Sequence, residues 1–283
     1  MIYFCADDYG LNNISSHRIL QCIDKGVLNK VSVFPNFDKV DLSDIPEGIR
    51  LSLHLNLVEG KCMSNADELD LIAASDGRLK HTFGGLFLTS LIHRKRLEAQ
   101  LYKEIRAQVL YWKSILPDGK PFCIDSHQHT HMIPAVFNSL MRVLDDEKIE
   151  IEYIRVPAEP LMPFIKIPSL YFSYSAVNII KQWLLKLLWL VNKGKRKVPT
   201  AYFFGILFSG RMDEKRVSRV LPHYVKMAQN KGVDVEVLFH PGYLEKNEAD
   251  FKNKSVVFES FYFSENRKTE FDSVTKIAER SEL

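Results

Sequence analysis

The stretch "FCIDSHQHTHMIPAVFNSL", Phe122 to Leu140, changes character twice, and its reading decides the fold. Phe122 to His127 is short, apolar and rich in strand formers. Asp125 and three histidines then fall at alternate positions, His127, His129 and His131. Pro134 opens a helix-compatible run over 134 to 147. A strand, a polar end and a helix in that order make one unit of a parallel α/β fold. Residues two apart in an extended chain share a face, so Asp125 and the three histidines are expected to face one point, as a metal site or as a hydrogen-bonded strand end.

The same unit recurs outward in both directions. Strand-like runs lie at "IYFCA" (2 to 6), "VSVFP" (31 to 35), "RLSLHL" (50 to 55), "YIRVP" (153 to 157), "AYFFGI" (201 to 206) and "VDVEVLFH" (233 to 240). Helical spacing follows the first of them, through Ile14, Ile19, Ile23 and Val27. It is clearest over 94 to 115, where Leu97, Leu101, Ile105, Val109 and Trp112 form one stripe, and it returns over 213 to 230 and 266 to 280. Strands alternating with helices predict a single (β/α)-barrel-like domain with mostly parallel strands. No Pro/Gly/Ser-rich linker divides the chain, so residues 1–283 read as one catalytic domain, with an insertion at about 160–200.

Polar residues collect where these strands end. Asp7 and Asp8 close the first, His54 the third and Asp125 with His127 the fourth, while Arg155 and His240 close later ones. The carboxyl ends of parallel strands are where α/β folds assemble their chemistry. Each residue has a plainer reading: a turn carboxylate, a strand histidine, a turn histidine held by Pro241 and Gly242. Their coincidence at one rim favours chemistry. Adjacent Asp7 and Asp8 call for a nearby cation, dividing into a metal ligand and a general base. His54 shares its face with Ser52 and Asn56, which makes that face the wall of a polar cleft.

A formal net charge of +3 gives no reason to expect nucleic acid as a partner. Four cysteines without a C-x-x-C pair suggest neither a zinc knuckle nor a disulfide framework. The apolar N-terminal run stops at Asp7, too early for a signal-peptide core, and a cytoplasmic address is expected.

The segments "ADDYG", "LSLHLNLVEG", "DSHQHTHMIPAVF", "YIRVP" and "EVLFHPGY", in this order and over nearly the whole chain, resemble the YdjC-like (ChbG-type) carbohydrate deacetylases. The resemblance implies a barrel-like metalloenzyme that removes acetyl from an N-acetylated sugar. It implies a divalent ion, zinc or magnesium, held by Asp8, His54 and His127, with Asp7 as general base and His240 as a general acid or a substrate-positioning residue. Arg155, His129, His131 and Asp125 would then be substrate-binding or supporting groups. Cys5, Ser52 and Val58 depart from the family's usual asparagine, glycine and threonine. Soluble chito-oligosaccharides are an alternative substrate, a phosphoesterase is an alternative reaction, and a non-enzymatic sugar binder is a third class.

Residues 170 to 199 stand apart. A broad apolar face with Trp183 and Trp189 runs into Lys193, Lys195, Arg196 and Lys197. Lys181 and Lys186 interrupt it too early for a membrane span. It reads as a buried barrel helix, a homodimer contact, or an interfacial helix over 176–197 resting on anionic membrane. In the last case the protein would sit peripherally at the inner face of the membrane and act on a lipid-linked sugar of cell-envelope or lipopolysaccharide synthesis.

Overall fold

Each of the seven runs read as strands forms one: β1 (Ile2–Tyr9), β2 (Lys30–Val33), β3 (Arg50–Leu55), β4 (Cys123–Ser126), β5 (Tyr153–Ile154), β6 (Tyr202–Phe204) and β7 (Val235–Phe239). The computed structural model describes residues 1–37, 40–195, 198–248 and 261–279. The strands make one sheet in the order β5-β4-β3-β2-β1-β7-β6, and every neighbouring pair is parallel. All carboxyl ends therefore share one rim.

The helices are α1 (Asn13–Lys25), α2 (Phe83–Ile92), α3 (Arg94–Ile115), α4 (Pro134–Asp146), α5 (Met162–Ile165), α6 (Ala176–Asn192), α7 (Glu214–Gln229) and α8 (Glu265–Glu279). The stripe Leu97, Leu101, Ile105, Val109 and Trp112 on α3 is fully buried, as its spacing predicts. Side-chain caps start several helices: Asn12 accepts from Ser15 N and Asp213 from Arg216 N, each cap contributing about 1 kcal/mol. The sequence reading missed α2. Gly84 and Gly85 lower its helix propensity, but Thr82 caps it and Leu86 and Ser90 are buried against the core. Arg280, the last residue of the expected final helix, lies outside the described residues.

Sheet curvature follows from what the strands carry inside. Lys30, Asp125, Arg155 and Glu236 are all fully buried. Arg155 Nε donates to Glu236 Oε1 at 2.8 Å. These residues belong to the β5 and β7 ends of the sheet, five strand spacings apart in the hydrogen-bonded order. In a flat sheet they would be ~24 Å apart, so the sheet must curl until its inner face closes on itself. Ile154 N, on edge strand β5, donates to Pro199 O at 3.1 Å, just ahead of the other edge strand. The fold is a half-barrel of the expected α/β class.

One local expectation is corrected. β4 stops at Ser126, and His127–Met132 is a 3-10 turn in which Gln128 and His129 take φ of 51° and 59°. The alternation in "HQHTH" is not an extended chain, and its histidines do not share a face. The segment 160 to 200 contributes α5, a short turn and α6 between β5 and β6. α6 buries Gln182, Leu185, Leu188 and Asn192 and exposes its other side. Among the described residues, no helix is long and apolar enough to cross a membrane. Arg196 and Lys197 of the basic run lie outside the described residues.

Candidate metal centre and active-site cleft

Neighbouring side chains on a regular strand point to opposite faces, so Asp7 and Asp8 need a reason to meet. The register of β1 against β2 shifts between Ala6 and Tyr9, and Asp8 has φ of 73°. That bulge, with a left-handed residue, turns the second carboxylate back toward the barrel axis. Positive φ is uncommon outside glycine and is held here by tertiary contacts. Arg267 of α8, buried at the rim, donates to Asp8 Oδ2 and fixes the carboxylate with Oδ1 inward.

Asp8 Oδ1 stands 3.3 Å from His54 Nε2 and 3.2 Å from His127 Nδ1. Ligand atoms that share one ion at about 2.1 Å are roughly 3.0–3.4 Å apart in octahedral or tetrahedral arrangements. Each imidazole has a carboxylate behind it. His54 Nδ1 meets Asp125 Oδ1 at 2.6 Å, and His127 Nε2 lies 3.3 Å from Glu59 Oε1. At His54 a proton held on the rear nitrogen leaves the front lone pair facing Asp8, the usual support of a metal-ligating histidine, whereas at His127 the rear Nε2 stands near Glu59 without a hydrogen bond among the described residues. Asp8 Oδ1 and His54 Nε2 are buried without a hydrogen-bond partner among the described residues. Orphaned polar atoms of this kind are costly unless something is meant to satisfy them. The donor set and spacing fit one divalent cation.

The electrostatics agree. Asp7, Asp8, Asp125, Glu59 and Glu236 face Lys30, Arg155 and Arg267 at close range and Lys181 farther off, which still leaves an excess of negative charge. Burial opposes charge on His54, yet Asp7, Asp125 and Asp8 outweigh it and raise its pKa to about 9. Burial is likewise outweighed at His127, where Glu59 and Asp8 raise the pKa to about 10. Burial would raise Asp8, but Arg267 and the two imidazoles hold it well below the usual carboxylate range. The cluster is built around a positive charge that the imidazoles carry when nothing else does.

The remaining sequence-derived candidates divide into two groups. Arg155, Asp125 and His131 are fully buried beneath the site, and the geometry does not place them against a ligand in the cleft. Arg155 grips Asp7 in a bidentate pair at 2.7 and 2.8 Å. Asp125 accepts from Ser32 Oγ at 2.6 Å besides holding His54. His131 is tied at Nδ1 to Ser126 Oγ and at Nε2 to Arg155 O at 2.7 Å, and burial lowers its pKa to about 4. The turn that follows β4 carries it inward, where protein groups use both of its nitrogens.

Asp7, His54, His127, His129 and His240 instead line a cleft of about 1330 Å³ over the rim. Asp7 Oδ2 is 3.8 Å from His54 Nε2, beside the centre. Although burial opposes it, Arg155 keeps the Asp7 pKa below the ordinary value. His129 packs edge-on against Phe203, and burial with Lys181 and Arg155 nearby holds it well below the ordinary histidine pKa. His240 Nδ1 lies 3.4 Å from Glu270 Oε2, so its other nitrogen is the one available to the cleft.

Sequence reasoning did not single out Glu59, Arg267, Glu270 or Lys181 as residues of the site. Glu59 lies within the quoted "LVEG" run, which was the available signal; the other three come from helices whose docking no local pattern encodes. Of the departures from the family pattern, Val58 lines the cleft, whereas Cys5 and Ser52 are buried below it.

A family model described as YdjC-like protein matches residues 1–281. A zebrafish (Danio rerio) protein named carbohydrate deacetylase is 28% identical over 176 residues, which cover 60% of this chain and 54% of that protein. The chain thus spans about half the length of that curated relative. The crystal structure of an Enterococcus faecalis protein described as a cellobiose-phosphate cleavage protein superposes with a TM-score of 0.65 at 15% identity, over 97% of this chain and 90% of that one. At that identity the likeness concerns the fold.

Proposed function

The chain belongs to the YdjC-like family, and from that footing we propose that it is a metal-dependent hydrolase removing the acetyl group of an N-acetylated sugar. The observation that carries the reading is the convergence of Asp8, His54 and His127, with Asp8 Oδ1 and His54 Nε2 left without a hydrogen-bond partner among the described residues, beside Asp7 at a cleft. The relative named carbohydrate deacetylase supports the reaction class.

Asp8 Oδ1, His54 Nε2 and His127 Nδ1 would hold the cation. Bound there, a divalent ion supplies Lewis acidity toward the acetyl carbonyl and lowers the pKa of a water. Two imidazoles with one carboxylate suit zinc and its first-row neighbours, whereas magnesium prefers oxygen ligands. Asp7 Oδ2 takes the proton from the attacking water. Its pair with Arg155 holds the carboxylate ionised and aimed. His240, oriented through Nδ1 by Glu270, gives a proton to the sugar nitrogen as the C–N bond breaks, since an amide anion is a very poor leaving group. Arg155 and Asp125 act by positioning Asp7 and His54. His129, neutral and facing the cleft, is placed to contact the sugar.

The test is acetate release from a panel of N-acetylhexosamines before and after chelation. Acetate is expected from at least one of them, lost with chelator and restored by zinc. Phosphate release in place of acetate would show a phosphoesterase instead.

A further inference from the structure

α6 presents two unlike faces at the mouth of the cleft. Its inner side is locked to the barrel: Gln182 Nε2 donates to Glu159 O at 2.7 Å and Asn192 Nδ2 to Met132 O at 2.8 Å. Its outer side carries Val177, Ile180, Trp183, Leu187, Leu190 and Val191, each between 52% and 72% exposed. Single exposed apolar side chains are ordinary; a continuous stripe of them marks a binding surface. α2, whose Phe83 and Phe87 pack against the same buried apolar cluster as Leu184 of α6, adds Leu88, Leu91 and Ile92, all more than half exposed.

The stripe does not stop at the outer surface. Val177 and Ile180 also line the catalytic cleft, together with Leu184 and Lys181. Lys181 makes no close ion pair among the described residues, although Asp7 and Glu159 act on it at longer range, and Lys61 and Lys80 line the same cleft. These ammonium groups can donate to sugar hydroxyls, and an anionic link would add a direct charge pairing to those hydrogen bonds. The cleft's volume of about 1330 Å³ also exceeds what one small ligand needs.

Building on the deacetylase reading, we propose that the acetylated sugar arrives on an apolar chain through a phosphate or pyrophosphate link. Lys181 holds the link, and the chain leaves the cleft over Val177 and Ile180 along the outer face of α6. A second copy of the protein is the poorer occupant of this face, because covering Val177 and Ile180 would close the cleft.

The test measures binding and acetate release by the metal-loaded full chain with three forms of N-acetylglucosamine: free, nucleoside-diphosphate-linked, and polyprenyl-pyrophosphate-linked in bilayer discs. The polyprenyl form is expected to bind about tenfold or more tightly than the nucleotide form, which isolates the chain. The nucleotide form is expected to outbind the free sugar, which isolates the anion. Ile180→Glu should bring the polyprenyl-to-nucleotide ratio close to one, and Lys181→Met should do the same to the nucleotide-to-free ratio. Each ratio is taken within one protein, so a general loss of folded material cancels. Equal binding of the polyprenyl and nucleotide forms by the unaltered protein would overturn the proposal. So would an Ile180→Glu variant that keeps the full ratio, or a dimer that Ile180→Glu disperses while the ratio of the unaltered protein is already one. Selective binding of the polyprenyl form without acetate release would uphold the wall and remove the deacetylase reading instead.

Discussion

Two polar clusters share the interior of this half-barrel. The one nearer the amino ends of the strands joins Lys30, Tyr153, Arg155 and Glu236: Lys30 Nζ meets Glu236 Oε1 at 2.9 Å, and Arg155 binds the same oxygen. The one at the carboxyl rim joins Asp8, His54 and His127, and there Asp8 Oδ1 and His54 Nε2 point inward with no hydrogen-bond partner among the described residues. Both clusters are buried and strongly charged. The lower one is satisfied by the protein itself, and the upper one is left incomplete by it. Burial and perturbed pKa values alone would have flagged both; unsatisfied converging donor atoms separate a site from a strut.

The largest expected effect comes from breaking the upper cluster. His127→Ala should lose both bound metal, read by elemental analysis, and turnover. Asp7→Asn should keep the metal and lose roughly 10²–10⁴-fold in kcat. An Asp7→Asn enzyme with full turnover would remove Asp7 from its role as the base.

Breaking the lower cluster should cost stability first. Arg155→Met removes the bidentate partner of buried Asp7 and leaves Lys30 to serve both Asp125 and Glu236. Losing one partner of such a network costs about 3–5 kcal/mol, readable as a lower urea midpoint with or without metal. An unchanged midpoint would contradict the reading of this cluster as a strut.

The smallest effect is one of pH. In metal-free protein His54 and His127 are raised to about 9 and about 10 from an ordinary 6.5. The folded state then holds protons that the unfolded chain releases. The stability so gained is complete below the unfolded value of about 6.5 and is lost as pH rises through about 9–10, on the order of a few kcal/mol. Chelated protein should therefore melt progressively lower from pH ~7 to ~10. Metal-loaded protein should resist that decline, because the cation replaces the imidazolium charge. Parallel melting curves would contradict a metal at this cluster.

Much of this was legible in the sequence. Strands and the α3 stripe show as periodicity, which depends only on local backbone geometry. The strand-end residues Asp7, Asp8, His54, His127 and His240 were picked out because parallel strands present their ends together. The roles of His129 and His131 were not legible, since "HQHTH" has the spacing of a strand but folds as a 3-10 turn with two residues at positive φ. α2 was missed because its glycines argue against a helix that burial nevertheless stabilises.

By itself, then, the amino-acid sequence determined the order of elements and the chemical types gathered at one rim. Only the tertiary structure decided which atoms converge. Arg267 reaches Asp8 across 259 positions of chain, and Arg155 reaches Glu236 across 81. Such pairs depend on how far the sheet curls and where α8 docks. Both are settled by packing among residues distant in sequence, which no local pattern records.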